Sequence, residues 1–226
     1  MATGTIVSEL TSRQFLSELD VAVAIYADAM EADPVLLPGR RDLMRRHAGY
    51  PAFRALHARA AVARPAPDPR PAPDPHPASA PRPGETELEV VGFAYGFHGQ
   101  GGQWWYDAVW TALTGAIGIR SAADWLSDCL EVAEVHVSKE HQRAGIGTRM
   151  LTTLTSGRRE RTAVLSTPDR DTTARRLYRR MGFAELLAGY IFPGGSPPYV
   201  LMGAELPLRD PMAAPIRDLS ASPSIS

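Results

Sequence analysis

Cysteine is almost absent from this chain of 226 residues; the only one is Cys129. One thiol cannot close an intrachain disulfide, which points to a reducing compartment. No Cys-His-Asp order surrounds Cys129, so it reads as a small buried apolar residue rather than a nucleophile. An excess of one charge is also missing. Lys and Arg total 24 and Asp and Glu 25, a formal net charge of -1. That balance gives no support to a nucleic-acid or anionic-membrane partner. No apolar run is long enough to span a bilayer. The first residues, Met1-Ala2-Thr3-Gly4-Thr5, lack the basic start and apolar centre of a secretory leader. No internal repeat is evident. The expectation is a cytoplasmic protein with no bound metal.

What is present suffices for a packed core, with 44% hydrophobic and 22% charged residues. Residues Thr5 to Leu10 predict a strand. A helix follows from a Thr11 or Ser12 cap to about Ala32, with Phe15, Leu19, Ala22, Val23, Tyr26 and Met30 at helical spacing. Asp33-Pro34 ends it. A second helix is predicted over Arg40 to His47. Phe53 to Val62 is ambiguous, its alanines favouring helix. Leu88 to Phe97 is a strand by its Val, Phe and Tyr. Between them, Arg64 to Gly84 carries proline at nearly every second position, which excludes helix and central strand. It predicts an extended, disordered loop, either a tolerated insertion at a hairpin tip or a docking site for a PPII-binding domain.

Gln103 to Leu113 is helix-like and holds Trp104, Trp105, Tyr106 and Trp110. Adjacent tryptophans cannot share one core face of a helix, so one of the first two is expected at a cleft or a partner. Asp124 to Ser127 predicts a further helical turn or lid. Leu130 to Ser138 and Thr162 to Thr167 are strands, with a helix over Thr148 to Ser156 between them. A helix over Thr172 to Met181 is closed by Gly182. Two final strands, Phe183 to Ile191 and Pro198 to Glu205, meet at a Pro-Gly-Gly-Ser-Pro turn. The alternation predicts an α/β (α+β three-layer) domain over 1–206, with a flexible tail over 207–226.

The richest stretch is Gln142-Arg143-Ala144-Gly145-Ile146-Gly147. A strand runs into a glycine loop and a helix leaves it, which aims backbone N–H groups and a helix dipole at one spot. Such a spot binds phosphate. No Gly-Lys-Ser/Thr follows, so it is not a Walker loop, and the dinucleotide spacing G-x-G-x-x-G is missing. Arg143 adds a charge suited to phosphate, though a solvated surface arginine is as good a reading.

Gln142, Gly145 and Gly147 resemble the Gln/Arg-x-x-Gly-x-Gly/Ala acyl-CoA loop of the GNAT superfamily of N-acetyltransferases. Asp171 to Phe183 is similar to that family's Asn-x-x-Ala-x-x-Leu-Tyr-x-x-x-Gly-Phe, with Asp171 in place of Asn. The resemblance implies a mixed sheet of six or seven strands flanked by helices, with two central strands splayed apart to admit the pantetheine arm. It also implies that Phe53 to Val62 is a strand. Acetyl-CoA would be the acyl donor, with Val135, His136 and Val137 offering backbone groups to pantetheine. Gln142, Arg143, Ala144, Gly145, Ile146, Gly147 and Thr148 would hold the pyrophosphate, and Asp171 is a further cofactor contact. The arginines of the last helix, Arg175, Arg176, Arg179 and Arg180, would either meet the 3′-phosphate or form a solvated face.

The implied reaction is direct acetyl transfer to a primary amine, small molecule or protein, in a ternary complex. Tyr178 sits where the family places the tyrosine that protonates the CoA sulfur. The candidate bases are Glu134, then Glu131, then His136. Period two places Glu131, Ala133, Val135 and Val137 on one strand face and Val132, Glu134 and His136 on the other, unless a bulge re-aims them. The family is often dimeric, so a homodimer is possible. The alternatives are a non-catalytic acyl-CoA sensor and an interaction protein recruiting through the Pro-rich loop.

Overall fold

The computed structural model describes residues 4–61 and 88–209. The expected Pro-rich loop over 64–84 and the tail beyond 209 lie outside the described residues. Seven strands form one mixed sheet: β1 (Ile6–Leu10), β2 (Arg54–Ala61), β3 (Leu88–Gly99), β4 (Cys129–Val137), β5 (Thr162–Pro168), β6 (Ala184–Tyr190) and β7 (Tyr199–Glu205). Their spatial order is β1-β2-β3-β4-β5-β7-β6. All neighbours are antiparallel except β4 and β5. The segment expected as a strand only from the family resemblance is therefore β2. Its alanines lose to tertiary context, because Ala55, Leu56, Ala58 and Ala60 are all buried in the sheet.

Helices cover both faces. On one side lie α6 (Ile146–Thr155) and α7 (Thr173–Arg180). Ile146, Met150, Leu151 and Leu154 of α6 bury against Leu56, Val91, Ala94, Leu130 and Val132. Full burial of each such side chain contributes about 1.5–3 kcal/mol. On the other side lie α1 (Ser12–Ser17), α2 (Leu19–Met30) and α3 (Leu37–His47), packed on Phe93, Tyr95 and Phe97 of β3. Beside them α4 (Trp104–Ile117) and α5 (Ile119–Leu126) cover Val164 of β5 and Leu201 of β7. None of the described helices is long and apolar enough to cross a membrane.

The single helix expected from 11 to 32 is two. Thr11 caps α1 through a reciprocal pair with Gln14, at 3.2 and 2.9 Å. The chain then leaves helical geometry at Glu18 (φ -97, ψ 10). Glu18 turns its carboxylate to His57 on β2, 2.8 Å away. That long-range bond sets the break, and no local signal marks it. Met30, expected on the apolar stripe, is 40% exposed. The helix α3 begins three residues earlier than expected, with Pro38 in its first turn.

Two irregularities shape the centre of the sheet. Parallel pairing of β4 with β5 covers three positions, Cys129↔Thr162 to Glu131↔Val164, and then stops. From Val132 onward the β4 edge facing β5 has no strand on it. The second irregularity is a bulge. Tyr95 pairs with Glu134 but the next residue, Gly96, pairs with Val132, which leaves Ala133 without a partner. Gly96 is required there, because a Cβ would stand 2.5 Å from the Glu131 carbonyl oxygen.

Candidate active site

The bulge corrects the expected strand faces. Val132, Val135 and Val137 face α6 and α7. Glu131, Glu134 and His136 share the opposite face through their partners Phe97, Tyr95 and Phe93, which pack under α1 to α3. The extra residue shifts the alternation by one, so two carboxylates predicted on opposite faces lie together.

At the end of β4 the chain forms the expected glycine loop. Arg143 and Gly145 both have left-handed backbones, φ 64 and 77. Gly145 caps α6 with no side-chain bond, and the first helical bond runs from the Arg149 N–H to the Gly145 carbonyl. The N–H groups of Ile146, Gly147 and Thr148 therefore have no acceptor inside the helix. A Cβ at Gly147 would make only ordinary contact with Leu177, at 3.4 Å, and nothing lies within 4 Å of one at Gly145. Packing does not demand glycine at 147. The open space beside these glycines and the free N–H groups leave room for an anion such as a phosphate. Gln142 donates its amide to the Val137 carbonyl, at 3.0 Å, and pins the loop to the strand end. The Arg143 side chain is exposed. Asp171 is exposed and paired with Arg176, while Thr172 caps α7.

Glu134 lies at the centre of a charged network. One carboxylate oxygen accepts from Arg40 at 2.8 Å and the other from His136 Nε2 at 2.5 Å. The Arg40 guanidinium stacks 4.5 Å over the Tyr26 ring, and Tyr26 packs edge-on against His136. Burial pushes the Glu134 carboxyl up, but the His136 hydrogen bond and the charges of His136 and Arg40 outweigh it, and the net direction is down. Glu131 is the opposite case. It is 3% exposed and its Oε2 has no hydrogen-bond partner. Burial first, and the Glu134 charge second, push its carboxyl up to about 8. Below the pair, Tyr95 and His47 Nδ1 stand 3.0 Å apart, and burial pushes His47 down to about 4. The neutral imidazole and the Tyr95 hydroxyl share one hydrogen bond.

Tyr178 projects from α7 and is 7% exposed, its ring packed on Phe183. Its hydroxyl makes no hydrogen bond among the described residues, yet it is not among the sealed, unpartnered atoms. Burial, with the Glu134 charge added, holds the phenol well above its usual value, so it is a proton donor at neutral pH. Burial likewise pushes Cys129 up to about 12, in keeping with an unreactive thiol.

The far wall of the cleft comes from α4 and β7. Trp105 Nε1 donates to Ser166 on β5, at 3.0 Å, just beyond the point where β4 and β5 part. Trp104 is 59% exposed and rests on Phe192, centroids 5.6 Å apart, and Phe192 packs on Tyr199. One tryptophan of the pair therefore anchors the wall and the other faces solvent. Sequence reading missed Arg40, Tyr26, His47 and Tyr95. Arg40 lies 94 positions from Glu134, and no local pattern links them.

A parted parallel pair beside a glycine cradle and a buried tyrosine defines an acyl-CoA-dependent transferase class. Residues 88–185 match the acetyltransferase (GNAT) domain family. The chain is 33% identical over 195 residues to a GCN5-like protein acetyltransferase of Mycobacterium tuberculosis, covering 83% of this chain and 91% of that one. It belongs to the GNAT family of acetyltransferases, whose acyl donor is an acyl-CoA. Among solved structures, NAA60 of Arabidopsis thaliana bound to acetyl-CoA has a TM-score of 0.54 at 16% identity, over 90% of this chain and 99% of that one. An N-acyl amino acid synthase from uncultured soil microbes gives 0.57 at 10% identity, over 91% and 92%. These last two likenesses concern the fold alone.

Proposed function

We propose that this chain transfers the acetyl group of acetyl-CoA to a primary amine on a protein, by direct attack in a ternary complex. The carrying observation is the unpartnered edge of β4 from Val132 to Val137, lying between the α6 cradle and Tyr178. The backbone of Val135 to Val137 supplies a strand edge on which the pantetheine amides lie as an added strand. Ala144 to Thr148 hold the pyrophosphate, with Arg143 above them, Gln142 fixing the loop and Asp171 a further contact. A protein acceptor is favoured over a small molecule by the name of the Mycobacterium tuberculosis relative.

A lysine-type ammonium has a pKa of about 10.4, so freeing its lone pair at neutral pH costs about 4–5 kcal/mol. The carboxylate face of β4 meets that cost: Glu134, Glu131 and His136 surround the point where the strands part. Tyr178 returns a proton to the departing thiolate. The test is thiol release from acetyl-CoA with a panel of lysine- and α-amine-bearing peptides, with mass spectrometry of the peptide product. Tight CoA binding with no thiol release from any amine would leave the non-catalytic sensor instead.

A further inference from the structure

The carboxylate ranked first as base from sequence is not free to act. Both Glu134 oxygens are engaged, one by Arg40 and the other by His136. An ionised carboxylate only accepts, so the His136 nitrogen bonded to it, Nε2, carries the hydrogen. The other nitrogen, Nδ1, is then a lone-pair acceptor. It has no partner among the described residues, and it is absent from the sealed, unpartnered atoms, which are Arg54 Nε, Arg59 Nε, Thr114 Oγ1 and Glu131 Oε2. The His136 side chain keeps 12% of its surface exposed, on the strand face that carries Glu134. The ring cannot swing away from that position. Tyr26 packs edge-on at 5.2 Å and Phe93 lies against it at 5.4 Å.

We propose that His136 is the residue that takes the acceptor's proton, and that Glu134 and Arg40 are positioning residues acting through it. This rests on the acetyl-transfer reading above. The ammonium first gives one proton to solvent; the neutral amine then attacks, and a second proton passes from its nitrogen to His136 Nδ1 as the C–N bond forms and the C–S bond breaks. Tyr178 delivers a proton to the thiolate and recovers one from solvent, and His136 releases its own to solvent. The net change is one proton set free per ammonium acetylated. Glu134 stays ionised throughout, fixes the tautomer and stabilises the imidazolium. Arg40 keeps Glu134 ionised when the imidazole is neutral. The titratable and charged groups around the Glu134–His136 pair are Tyr26 from α2, Arg40 and His47 from α3, Tyr95 from β3, Glu131 from β4 and Tyr178 from α7.

The experiment is nitrogen NMR on protein labelled at histidine, with His136→Gln to assign the signal. The neutral His136 ring should report Nε2–H, and Glu134→Gln should redistribute the tautomers. An Nδ1–H tautomer in the wild type would overturn the proposal whatever the acceptor is. Kinetics with acetyl-CoA and a single-lysine peptide supply the second arm. His136→Gln should lower kcat at least 100-fold and remove the acid limb of its pH profile, with the KM for acetyl-CoA little changed. A retained acid limb in a variant with a native thermal transition would also overturn it. If wild-type protein releases no thiol with any amine, the acetyl-transfer reading fails and the base role falls with it, whereas an Nδ1–H tautomer removes His136 alone.

Discussion

The two ends of β4 differ more than any two helices of the molecule. Its first three residues are bonded on both edges, to β3 and to β5. Its last six lose β5, and all but the bulged Ala133 keep β3. In the closed part Glu131 is sealed, with one oxygen orphaned and its proton retained. In the open part Glu134, three residues on, is ionised and fully bonded. A buried carboxyl without a partner neutralises itself, whereas one given a guanidinium and an imidazole keeps its charge. One strand thus carries a paired end with a neutral carboxyl and an end with one free edge whose carboxylate is held by a guanidinium and an imidazole.

The largest effect should come from the closed end. The Glu131 carboxyl is raised from an ordinary value of 4.5 to about 8. For an acid so shifted, the stabilisation is complete below the unfolded value and is lost as pH rises through the folded one. Thermal stability of the wild type should therefore fall between about pH 4.5 and pH 8, by an amount on the order of 5 kcal/mol. Glu131→Gln should flatten that fall in thermal melts. Glu134 is shifted down, so its contribution carries the opposite sign: it is present above the unfolded value and lost on acidification. Equal pH slopes for wild type and Glu131→Gln above pH 6 would erase the contrast between the two carboxylates.

Second in size is Tyr178→Phe, which keeps the ring against Phe183 and deletes the hydroxyl. We expect kcat to drop by about 100-fold with stability changed little, since a positioned proton donor contributes about 100-fold to 10,000-fold. A kcat within about 3-fold of wild type in a steady-state assay would remove Tyr178 from the donor role.

How legible these features were in the sequence follows from the distance over which each is decided. The glycine loop and its helix are set within ten residues, and Gln142 to Thr148 fold as their pattern demands. Apart from β2, whose alanines favour helix and which tertiary context makes a strand, the order of strands and helices was readable for the same reason, down to the α7 stop at Gly182. The Glu18 break was not, because its cause is a bond to His57 on a strand 39 positions away. The β4 bulge was anticipated only as a possibility. It is fixed by Gly96 on the neighbouring strand, whose missing Cβ leaves space for the Glu131 carbonyl. The network around Glu134 was invisible, since Arg40 and Tyr26 reach it from helices that carry no motif.

Third is Gly147→Ala, which separates ligand space from fold. A methyl group there meets only Leu177, at an ordinary contact distance of 3.4 Å. Alanine is also the better helix former by about 1 kcal/mol. The variant should melt no lower than wild type yet bind CoA at least about 10-fold more weakly by calorimetry, because the methyl occupies the anion's approach. Weakened melting with unchanged CoA affinity would reverse the assignment of this glycine from ligand room to packing.

The smallest effect tests the wall opposite the carboxylates. Trp104 and Trp105 are neighbours on α4 with different tasks: Trp105 is bonded to Ser166, while Trp104 is 59% exposed on Phe192. Removing an exposed ring of this kind changes stability by less than about 0.5 kcal/mol. If the ring lines the acceptor's path, Trp104→Ala should raise the KM for a single-lysine peptide several-fold, with kcat and the KM for acetyl-CoA unchanged. Apolar contact made equally in the ground and transition states has that signature. A fall in kcat at constant peptide KM would instead mean that the ring props β5 at the point where it leaves β4, and the open edge would then depend on α4 as well as on the bulge.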